Sequence, residues 1–72
     1  MDKEVAENIQ ITTQGCIREL TMLMHISKLQ TSEEEFSSLK SNIVQVMGRL
    51  IDIEEFNVYK EYPELRPYSL SD

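Results

Sequence analysis

The sequence predicts an all-α chain: an antiparallel two-helix hairpin with an extended C-terminal tail, completed by homo- or hetero-oligomerisation. Three observations carry this. Apolar residues recur at helical spacing over two long stretches, a capping signature separates them, and two prolines stand near the end. At 72 residues the chain is one domain at most, and chains this short bury a small fraction of their surface when folded alone.

The first helix is expected over about residues 2–29. Ala6, Ile9, Thr13, Cys16, Leu20 and Leu23 alternate steps of three and four, with Ile17 and Met24 widening the stripe. Glu7, Gln14, Arg18 and His25 fall roughly opposite at 100° per residue, so the segment is amphipathic.

A turn is expected at about residues 30–32. Ser32 with Glu35 has capping-box spacing, and Thr31 with Glu34 offers the same pattern one residue earlier. Glu33, Glu34 and Glu35 then occupy the first turn of the second helix, where carboxylates favour the positive end of the helix dipole. That placement accounts for the acidic run as capping more readily than as a docking patch for a basic partner.

The second helix is expected over about residues 33–59. Its strongest pattern is Phe36, Leu39, Ile43, Val46, Leu50 and Ile53, again alternating three and four. Pro63 and Pro67 then forbid regular helix, leaving residues 61–72 as an extended or loosely ordered tail. The connection is so short that the helices must lie antiparallel. Leu20 should then face Ile43, Leu23 should face Leu39 or Lys40, Cys16 should face Val46 or Met47, and Ile9 should face Ile53.

The seam does not use every apolar residue. Ile11, Met22, Ile26 and Leu29 form a second stripe on the first helix, and Val44, Met47, Ile51 and Val58 form one on the second. Contiguous exposed apolar surface marks interaction sites, so these positions are the expected partner-binding residues, joined by Tyr59 and Tyr62 from the start of the tail. Met47 sits at the seam edge, so Met47→Glu should weaken partner binding more than helix formation. Gly15 and Gly48 stand mid-helix, each costing about 1 kcal/mol relative to alanine.

Composition narrows the partner. A net charge of −6 repels phosphate backbones, which argues against nucleic acid. No apolar run approaches membrane-spanning length, and Met1-Asp2-Lys3-Glu4-Val5 lacks the order of a signal peptide, so a cytoplasmic protein with no membrane partner is expected. No cofactor or metal is expected, and no catalysis. His25 lies on the polar face, and Cys16 reads as a small buried hydrophobe of the seam. Asp52, Glu54 and Glu55 point in different directions on a helix.

In outline the hairpin from about Val5 to Tyr59 resembles the YscE-type co-chaperones of bacterial type III secretion systems. The likeness is one of architecture: length, two amphipathic helices, the Thr31-Ser32-Glu33 turn region and the surplus apolar flanks. It implies a small co-chaperone that stabilises a helical-repeat chaperone of the needle subunit, with Ile11, Met22, Ile26 and Leu29 or Val44, Met47 and Ile51 as docking stripes. Two other readings stand beside it. One is an acidic inhibitor or immunity-type protein covering a basic active site. The other is a homodimeric four-helix-bundle regulator.

Overall fold

A computed structural model describes residues 1–67. Helix α1 runs Lys3–Gln30 and helix α2 runs Glu33–Ile53, packed against each other as a hairpin. Beyond α2 the helix widens into a π-helical turn, Glu54–Tyr59, and a 3-10 turn follows at Pro63–Leu65.

The turn is local chemistry. The Thr31 hydroxyl donates to the Ser27 carbonyl at 2.7 Å and its N–H to the same oxygen at 3.0 Å, which closes α1. Ser32 then starts α2 with the reciprocal pair that its spacing predicts. Glu35 N–H donates to Ser32 Oγ at 3.1 Å, and Ser32 N–H donates to Glu35 Oε1 at 2.9 Å. The Ser32 backbone N–H, with help from its hydroxyl, holds the Glu35 carboxyl below its ordinary value.

The seam is rotated from the expected one. Its buried and half-buried members are Ala6, Ile9, Thr13, Ile17, Leu20, Met24 and Ser27 on α1, and Phe36, Leu39, Ile43, Met47 and Leu50 on α2, continued by Glu54 and Val58. Cys16, Leu23, Val46 and Ile53, expected inside, are exposed. The reason is the mismatch between a repeat averaging 3.5 residues and a straight helix of 3.6, which turns a strict stripe by roughly 20° per heptad. A long supercoil would absorb the drift. Here the series Ile9, Cys16, Leu23 walks out of the seam, and so does Leu39, Val46, Ile53.

Three of the expected docking residues are at least half covered within the chain. Met47 is half-buried in the seam. Val58 is 0% and Tyr59 5% exposed, packed with Ala6 in one cluster against Ile9, Tyr62 and Leu65. Their apolar surface is thus used within the chain. Tyr62 is half-buried on the same cluster.

The tail is folded back rather than extended as far as it is described; its Tyr68 lies outside the described residues. Leu65 and Arg66 N–H groups donate within the 3-10 turn, and Tyr62 N–H donates to the Val58 carbonyl at 2.8 Å. Residues 60–66 therefore form a strap across the start of α1.

Candidate functional site

The residues that drift out of the seam gather on one face of the hairpin. Thr12, Gly15, Cys16 and Leu20 of α1 and Val46 and Leu50 of α2 line a shallow groove of about 710 Å³. A second depression of about 340 Å³ is lined by Val5, Ile9, Thr12, Thr13 and Ile53. Thr12 belongs to both, so one trough follows the helix pair along this front face. Leu23, one heptad beyond Cys16, extends the same edge and is 42% exposed.

The groove also reports the register. Ile9 shares one depression with Ile53, and Cys16 shares the other with Val46, at the levels expected for an antiparallel pair. Leu20 and Leu50 are half-buried, while Val46 is 50% and Val5 47% exposed. Arg18 and Glu19 supply polar atoms at the margin. The groove is apolar, open and long, a shape that takes a ridge of side chains rather than a small molecule.

Of the flank residues expected to dock a partner, Ile11, Met22, Ile26 and Leu29 are exposed on the outer side of α1, and Val44 and Ile51 are exposed on α2. None of them lines either depression of the front face. Sequence reasoning placed Cys16, Leu23, Val46 and Ile53 inside and so missed this face, although the 3.5-residue repeat itself signalled the drift.

A second constellation lies at the open end of the hairpin, away from the turn. The Gln10 amide donates to the Tyr59 hydroxyl at 3.1 Å and to the Leu65 carbonyl at 2.7 Å, pinning the π-helical turn and the strap to α1. The Tyr62 hydroxyl donates to the Met1 carbonyl. The terminal amine of Met1 pairs with Glu61 at 3.2 Å and Lys3 with Glu64 at 3.1 Å. Arg66 grips Glu55 with two bonds of 2.8 Å and lies 5.0 Å over the Tyr59 ring.

Two titratable groups of this end are pushed in opposite directions. Glu54 is 7% exposed, and burial raises its carboxyl above the ordinary value, with Tyr59 and Gln14 partly offsetting this. Glu64 is lowered, first by a backbone hydrogen bond and then by Lys3. Burial also raises the Tyr59 hydroxyl, which stays protonated.

No group of three or more His, Cys, Asp or Glu among the described residues could hold a metal ion, and no described helix is long and apolar enough to cross a membrane. Compared with family models, curated proteins and solved structures, the chain gives no match.

Proposed function

We propose that this chain is a non-enzymatic protein-binding module, a small adaptor of co-chaperone type, that lays its front groove against a helical segment of another protein. The observation that carries this is the trough through Val5, Ile9, Cys16, Val46 and Ile53, an apolar strip drawn from both helices and left open. The shape supports it. Extents of 44 × 26 × 16 Å are those of a single layer of helices, and the radius of gyration, 14.9 Å, exceeds the roughly 11 Å of a compact domain this long. Stable domains pack two layers around a core, so a second layer is what this hairpin lacks.

Apolar docking is favoured over acidic mimicry of a substrate. Glu55, Glu61 and Glu64 are each paired with a cation of the chain itself, Arg66, the terminal amine and Lys3. A helical-repeat chaperone, as in type III secretion, is a partner of the right form, because its concave face offers helices to a groove. Cytoplasmic location belongs to the same proposal.

Val46→Glu tests the reading. Capture of the partner from the native cell should fall more than about tenfold, with the far-ultraviolet circular dichroism of the chain unchanged. Affinity of the native chain should be nearly constant from low to high salt, whereas an acidic mimic loses affinity steeply. Capture that survives Val46→Glu, or that collapses with salt, rejects the groove. A homodimer by solution mass, dissociated by the same substitution, would make the second layer another copy.

A further inference from the structure

Glu54 is a carboxylate at a core position. It follows Leu50 by four residues on the seam face, where the pattern asks for an apolar side chain. At this residue the backbone opens into the π-helical turn, which gives each turn an extra residue and brings both Val58 and Tyr59 inward. Tyr59 lies beside the carboxyl group, whose Oε2 is buried without a hydrogen-bond partner.

The groups facing it do little to neutralise a charge. From α1 come the uncharged amides of Gln14 and, through the Tyr59 hydroxyl, Gln10. From its own turn come Tyr59 and Glu55, the latter of like sign. From the strap comes Arg66, whose guanidinium is paired with Glu55 and stacked on Tyr59. An ionised carboxyl here is therefore poorly compensated, and a neutral one costs far less to bury.

We propose that Glu54 is a proton-linked latch for the strap: uncharged, it lets residues 60–66 close over Ala6 and Val58, and ionised, it loosens the Tyr59–Gln10 junction and releases them. Opening uncovers Ala6, Val58, Tyr59 and Tyr62, a second apolar strip distinct from the front groove. The latch does not depend on what the groove binds.

The sign follows from the two opposed carboxyls. Glu54 is raised in the closed form, so its contribution to closure is complete at acid pH and is lost as pH rises through its raised value. The outer ties act the other way. The clearest is the tie of Glu64 to Lys3, which needs an ionised carboxyl, and the lowered Glu64 keeps it until the pH falls below the ordinary carboxylate range. Closure is tightest between these limits and weaker on both sides.

Amide exchange of Tyr62, Leu65 and Arg66, followed by nuclear magnetic resonance in the full chain and expressed as protection factors, reads the strap directly. As pH rises from the ordinary carboxylate range through the raised value of Glu54, protection should fall several-fold, while the middle of α1 changes little. Glu54→Gln should abolish that fall and keep the acid limb. Gln14→Met, which removes a donor to the ionised form and leaves the Gln10–Tyr59 bond in place, should move the midpoint of the fall upward. Strap protection that stays flat in the native chain overturns the latch, as does an undiminished fall in a folded Glu54→Gln. If Glu54→Gln does not fold, the midpoint in Gln14→Met decides, and an unmoved midpoint rejects the proposal.

Discussion

Gln10 and Tyr59, 49 residues apart, are joined by a 3.1 Å hydrogen bond from the amide to the phenol, and the same amide nitrogen reaches the Leu65 carbonyl. One side chain thus fixes both the end of the second helix and the return of the tail. Gln10→Ala removes both bonds and leaves the Leu65 carbonyl without its donor. It should cost about 1–3 kcal/mol in denaturant unfolding, with strap amides losing protection before those of α2.

Neighbouring residues on α2 should separate binding from folding. Val46 opens onto the groove, whereas Met47 lies half-buried in the seam. Met47→Glu forces a charge between the helices and should destabilise the hairpin by about 2 kcal/mol or more, reversing the expectation from sequence. Val46→Glu should leave the thermal midpoint within a few degrees of native. Equal loss of stability in the two variants would show that the helices are not rotated as described.

The Ser32 cap should be worth about 1 kcal/mol, read as the loss on Ser32→Ala in chemical denaturation. Its pH dependence has a definite sign. Glu35 is lowered in the folded chain, so its contribution is present above the ordinary carboxylate range and lost as pH falls through the lowered value. Ser32→Ala should therefore flatten part of the acid limb of the stability profile.

A β-carbon at Gly48 would meet nothing within 4 Å, and the backbone there is ordinary helix. Gly48→Ala should stabilise the hairpin by up to about 1 kcal/mol, seen as a higher melting temperature. A loss would mean that α2 needs the flexibility of glycine at this level.

Much of the fold was legible because it rests on neighbours in the chain. Ser32 and Glu35 lie one helical turn apart, so their spacing announces the cap without any distant contact. The candidate site was less legible. Cys16 and Val46 sit on repeats that read as core, and only their angle about each helix axis separates groove from seam. Glu54 shows the same limit: its identity was visible, but its burial depends on Val58 and Tyr59 turning inward through the π-helical turn.

By itself the sequence determined two amphipathic helices, the position and chemistry of the turn and their antiparallel order, because these follow from local spacing, capping and a short connection. Tertiary packing decided how far each helix rotates, which apolar residues remain outside, and that the tail returns to Gln10. Those outcomes are set by contacts between residues dozens of positions apart, where a shift of a few tens of degrees exchanges an inner side chain for an outer one.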